Sequence, residues 1–127
     1  GVSNPYRNVL QGLNRVVPQP LSIELQVDTG CAQTMIDSQV AAALALPVRG
    51  WQTILTPSSG PNGVNVPRYD VSIVIPGNRN QRLTLSAWRV TTADFSAQGI
   101  AGLLGRDILE RGRLFYSGID AECFLSF

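Results

Sequence analysis

The sequence predicts a mostly β protein, a small barrel-like or sandwich fold carrying two short helices. Two observations point there. Apolar and polar residues alternate with period two in separate stretches, with Ile23, Leu25 and Val27 set against Ser22, Glu24 and Gln26, and Leu83 and Leu85 set against Arg82 and Thr84. Clusters of Gly, Pro, Ser and Asn at 57–63 and 77–80 punctuate the alternation as turns do. Helix starts are confined to two places, after Asp37 and after Gly105.

Taken in order, residues 1–20 contain Pro5, Pro18 and Pro20 among Asn and Gln, yet Val9, Leu10, Leu13, Val16 and Val17 are too apolar for a free tail. They read as an extended N-terminal arm with a short strand, and residues 21–127 as a single domain. Strand 21–27 runs into Asp28-Thr29-Gly30, and Thr34-Met35-Ile36 returns to the core. Asp37 or Ser38 caps an Ala-rich helix over 39–46 that Pro47 ends. Strands at 48–56 and 64–76 form a long hairpin whose tip, 57–63, is rich in Gly and Pro. A strand over 82–90 turns Leu83, Leu85, Ala87 and Arg89 to one face, and a loop covers 91–99. A short apolar strand then ends at Gly105, a helix begins near Arg106 or Asp107, and 113–127 closes the chain as a hairpin turning at Ser117-Gly118.

The chain of 127 residues fits one domain with a real core. With 44% hydrophobic and 15% charged residues it folds, and its surface carries few charges. A net charge of +1 gives no electrostatic case for nucleic acid or an anionic membrane. All 10 basic residues are Arg, which excludes Schiff-base chemistry and a P-loop lysine. The absence of His excludes Ser-His-Asp and Cys-His catalysis and removes the commonest zinc ligand. Cys31 and Cys123 match no metal or redox spacing and read as reduced thiols. Acid–base chemistry must then come from carboxylates, with Tyr or Cys as weaker candidates, and no metal or cofactor is called for. No apolar run is long enough to span a bilayer and no signal peptide is visible. Position 1 is Gly rather than Met, so the chain reads as a fragment or processed form, and its compartment stays open.

The stretch that organises the rest is 21–37. Asp28 sits where a strand leaves the core, and Gly30 allows a sharp turn or a close approach. A carboxylate held there is a candidate reactive group; the plain alternative is an ordinary Asp-Thr-Gly turn. Downstream, Gly102-Leu103-Leu104-Gly105-Arg106-Asp107-Ile108-Leu109 follows the long hairpin. In order and spacing the two motifs resemble those of the retroviral-type (retropepsin-like) aspartic proteases, closest to the bacterial single-domain members, over roughly residues 20–127.

The resemblance implies a small closed β barrel with a flap hairpin and one or two short helices, acting as an aspartic endopeptidase on polypeptides between apolar residues. Such hydrolysis needs two carboxylates sharing a proton around a water, and like charges that close cannot both ionise. The motif occurs once here, so the second Asp28 would come from another copy in a homodimer. Thr29 would then hydrogen-bond across the dyad, and Gly30 would offer backbone to substrate. Ser58, Ser59 and Gly60 would form the flap tip, and Ala101 and Leu103 would line an apolar pocket. Gly105 and Arg106 would brace the acid loop, with Asp107 as structural support. The N-terminal arm and the 121–127 strand are candidates for the dimer interface. Two departures stand out. Cys31 replaces the usual Ala or Ser, and Ala32 replaces an acid that pairs with the helix Arg, leaving Arg106 without an obvious partner. Arg106 and Asp107 also fit a plain helix start, Asp37 a cap, and Trp51 and Trp88 core or surface aromatics. Cys31 has no His to activate it as a nucleophile. The competing class is a non-catalytic dimerisation or peptide-binding module of the same fold.

Overall fold

A computed structural model describes residues 1–56 and 59–127. Six strands form one sheet: β1 (Gln26–Val27), β2 (Met35–Asp37), β3 (Gly50–Ile54), β4 (Val64–Pro76), β5 (Arg82–Ala93) and β6 (Gly102–Leu104). Their spatial order is β1-β6-β2-β5-β4-β3, and β7 (Arg113–Ser117) with β8 (Glu122–Ser126) makes a separate two-stranded sheet. Helices α1 (Asn4–Gly12), α2 (Ser38–Ala43) and α3 (Arg106–Leu109) and a 3-10 turn at Ser96–Gln98 complete the chain. The mostly β class therefore holds, with more helix than expected.

The sheet curls through half a barrel and stays open, with β1 and β3 at its edges. The 21–25 stretch does not join the ladder; only Gln26 and Val27 pair, in parallel, with Leu103 and Leu104. On the other side β3 pairs with β4 only from Gly50↔Arg68 to Ile54↔Val64. Between the 21–27 stretch and β4 lies an apolar cavity of about 400 Å³, lined in part by Ile23, Leu25, Val27, Ile73, Ile75 and Leu104.

Within the N-terminal arm, residues 4–12 form a helix rather than an extended segment. Ser3 caps it by accepting from Tyr6 N, and Pro5 occupies the first turn, where a missing N–H costs nothing. Tyr6, Leu10 and Leu13 fall at helical spacing, and Leu10 is buried. Ahead of it, Val2 bridges to Val71 and is fully buried.

Strand β5 runs three residues beyond Val90 because Thr91, Thr92 and Ala93 pair in parallel with Met35, Ile36 and Asp37. It also breaks its alternation. Val71 pairs with Trp88 and Ile73 with Leu85, so two residues of β5 oppose one of β4. This bulge reverses the facing: Leu83 and Leu85 point inward before it, Trp88 and Val90 after it, and Ala87 and Arg89 are exposed. The expectation that Ala87 and Arg89 share the face of Leu83 and Leu85 is corrected accordingly.

Two clusters form the core. Ile36, Ala41, Val71 and Val90 make the first, beneath α2; Leu85, Leu104, Ile108 and Leu109 make the second, beneath α3. Ile73 and Trp88 touch both. Each fully buried aliphatic side chain contributes about 1.5–3 kcal/mol. The second cluster seats β6 and α3, the elements that hold the acid turn. Among the described residues no helix is long and apolar enough to cross a membrane.

Candidate functional site

The acid turn is built from its own backbone outward. Gly30 N donates to Asp28 Oδ1 at 2.8 Å and Cys31 N donates to Asp28 O at 3.2 Å, so the carboxylate closes its own turn. Asp28 is half-buried, whereas Thr29 and Gly30 are exposed. A Cβ on Gly30 would sit 3.1 Å from Asp28 Oδ1, crowding the oxygen that the turn presents.

The second motif, more than 70 residues away, meets this turn. Asp28 N donates to Leu104 O at 3.1 Å, Arg106 N to Cys31 O at 2.9 Å and Asp107 N to Ala32 O at 3.3 Å. The Arg106 guanidinium donates to Thr29 O at 3.1 Å and to Gly30 O at 3.5 Å. Its partners are thus backbone carbonyls of the acid turn, which no side-chain motif announces. Gly105 is there because the two segments touch: a Cβ would lie 2.5 Å from the Gln33 carbonyl carbon and 2.8 Å from Thr34 N.

Asp107 joins the two segments to β5. Its Oδ1 accepts from Thr34 N at 2.9 Å, Thr34 Oγ1 at 2.8 Å and Ile108 N at 3.0 Å, and its Oδ2 accepts from Trp88 Nε1 at 2.9 Å. Thr34 Oγ1 accepts in turn from Gly105 N at 3.1 Å, and Arg111 stacks over the Trp88 ring. Bonds to a charged acceptor contribute about 1.5–3 kcal/mol each, so this carboxylate fixes the relation of β2, β5 and α3. Thr34 and Trp88 carry this role without a motif, although Thr34 shows as a polar residue entering an apolar run.

The remaining predicted residues lie around the turn at different ranges. Ala101 and Leu103 share one side of the β6 segment, with Ala101 N bonded to Glu24 O, Ala101 O accepting from Asp37 N, and Leu103 opposite both Gln26 and Met35. Ser59 and Gly60 belong to the hairpin tip, where Ser59 Oγ accepts from Thr56 N at 2.8 Å and donates to Thr56 O at 2.9 Å. Ser58 lies outside the described residues. Asp37 is a cap: Oδ1 accepts from Gln39 N, and Oδ2 accepts from the buried Phe95 N. Trp51 is exposed on β3. Cys31 Sγ donates to Gln33 O at 2.9 Å, and burial pushes its thiol above the ordinary range.

Chemically, the arrangement offers one braced, solvent-accessible carboxylate beside exposed backbone on a strand end. Among the described residues no group of His, Cys, Asp and Glu is placed to hold a metal ion. The chain matches no family model and no curated protein sequence.

Proposed function

We propose that the chain is an aspartic endopeptidase that acts as a homodimer, one Asp28 from each copy holding the attacking water. One observation carries this reading: the two sequence motifs meet, so that the 104–107 segment braces the Asp28 turn through four backbone carbonyls and leaves its carboxylate accessible. In the proposed reaction one carboxylate takes a proton from water as the water attacks the scissile carbonyl carbon, while the protonated partner donates to the carbonyl oxygen. Collapse of the resulting diol breaks the C–N bond, and the amine leaves with a proton returned by the pair. Thr29 fixes the partner's turn, Gly30 offers backbone to the substrate, and Ala101 and Leu103 favour apolar side chains. Ser59 and Gly60 close over the peptide at the tip of the β3–β4 hairpin and exclude water.

The test is cleavage of a mixed peptide pool from about pH 3 to 8 by wild type and Asp28→Asn. A pair sharing a proton gives an optimum of about pH 4–6.5, and the variant loses about a hundredfold or more while remaining a dimer. A rate still rising at the alkaline end, or equal products from both proteins, would overturn the assignment. An intact dimer that cuts nothing favours the binding module of the same fold.

A further inference from the structure

Beyond Arg68, where β4 joins β5 opposite Thr91, strands β3 and β4 pair with each other and project from the sheet as a free hairpin. Its base is a turning point. Gly50 has φ +146°, and a Cβ there would lie 2.6 Å from the Arg68 guanidinium, so the chain leaves the sheet at a position open to glycine alone. Gln52 and Val66 stand opposite each other on one face of this hairpin; Val66 is buried, so that face is turned toward the body of the molecule. From it Gln52 Nε2 donates to Gln33 Oε1 at 2.6 Å. Gln33 is anchored through its backbone, since Gly105 packs against it too closely to admit a Cβ and Cys31 Sγ donates to its carbonyl oxygen.

We infer that Gln33 and Gln52 are a positioning pair, an amide clasp that holds the β3–β4 hairpin down beside the acid turn and sets the fraction of molecules open to an incoming chain. Its chemistry suits a site working in acid. Each carboxamide carries both donors and acceptors, so either residue can be the donor, provided that the two amides turn together. Neither group titrates, so the clasp keeps its strength across the range in which a carboxylate partner would be protonated. A single net hydrogen bond biases a two-state equilibrium about five- to tenfold, enough to favour the closed hairpin and weak enough to yield to a peptide. The consequence for turnover rests on the protease reading; the clasp itself does not.

The test reads the open population by amide relaxation dispersion over residues 50–66, which needs no turnover. Gln52→Leu raises that population about five- to tenfold and leaves the core amides of Val90 and Ile108 as they are. Wild type gives the same population at about pH 4.5 and 7.5. The double variant Gln33→Glu, Gln52→Glu places two carboxyls in contact, so it opens at the higher pH by repulsion and closes at the lower as they share a proton. A Gln52→Leu hairpin moving as in wild type, or a double variant indifferent to pH, would overturn the clasp whatever the cleavage assay shows.

Discussion

Cys31 adjoins the acid turn, and its surroundings decide whether its thiol can react. Burial is the largest influence and disfavours the thiolate; the charges of Asp28 and Asp107 add to burial, while the Arg106 charge pulls the other way. The net shift is upward, the opposite of what a nucleophilic or redox-sensing cysteine needs. The sign for stability follows. A thiol with a raised folded value is neutral in both folded and unfolded chains through acid and neutral pH and contributes nothing to pH dependence there. Above the ordinary thiol value the unfolded chain ionises first, so stability falls as pH rises further. At about pH 8, iodoacetamide should label the exposed Cys123 at least tenfold faster than Cys31, as mass spectrometry of the two peptides reports. Equal labelling would mean that the thiol beside Asp28 is more accessible than its bond to Gln33 O implies.

At the scale of elements, α1 and α2 end in the same way and differ in one residue. In each, a residue past the helix adopts positive φ, Asn14 at 52° and Ala45 at 48°. In each, the next N–H reaches back across the turn, Arg15 N to Leu10 O at 2.8 Å and Leu46 N to Ala41 O at 3.1 Å. Asn tolerates the left-handed region and Ala does not. Replacing Ala45 with Gly removes that strain, and the extra freedom of the unfolded chain takes back part of the gain. The expected net is about 0.5–1 kcal/mol, a rise of about 2–4 °C in Tm; an unchanged or lower Tm would show that the terminus is not strained. The same elements show what a sequence conceals. The bounds of β4 were open to reading because alternation ends at Pro76-Gly77. Helix α1 was hidden by Pro5 and its Asn and Gln neighbours, which look like turn formers until the capping bond of Ser3 is known. The bulge in β5 was hidden because Leu83, Leu85 and Ala87 keep alternating through it; only the residue count of the partner strand reveals the slip. For the site, both motifs and their meeting were open to reading, while Trp88, Thr34 and the Gln33–Gln52 pair were not. Their bonds join residues that share no motif and become neighbours only through the sheet.

At the scale of the whole molecule, the proposed site takes one carboxylate from each of two chains, a half-buried Asp28 beside exposed Thr29 and Gly30. Bringing two such groups together in a desolvated site costs several kcal/mol, and an interface must offset that cost. The β7–β8 hairpin offers a surface for it. Two-stranded hairpins are marginal by themselves, and this one is tied to the core on one side by Leu125. The other side carries the cross-strand pair Phe115 and Phe124, each 57% exposed, and Ile119 at the tip is 99% exposed. Adjacent apolar side chains left in water on one face mark an interaction surface. If that face joins two copies, Phe124→Glu should weaken the dimer about thirtyfold or more, the effect of losing an interface anchor. Cleavage should fall in proportion, and Tm measured on monomer should hold, because the ring it replaces is not part of the core. Sedimentation across a dilution series, with specific activity on the same samples, checks both expectations. A Phe124→Glu protein that stays dimeric and active would move the interface elsewhere, to the exposed Val9 and Leu13 of α1. Specific activity independent of concentration down to nanomolar would go further, since a site built from two copies of Asp28 must come apart when the copies do.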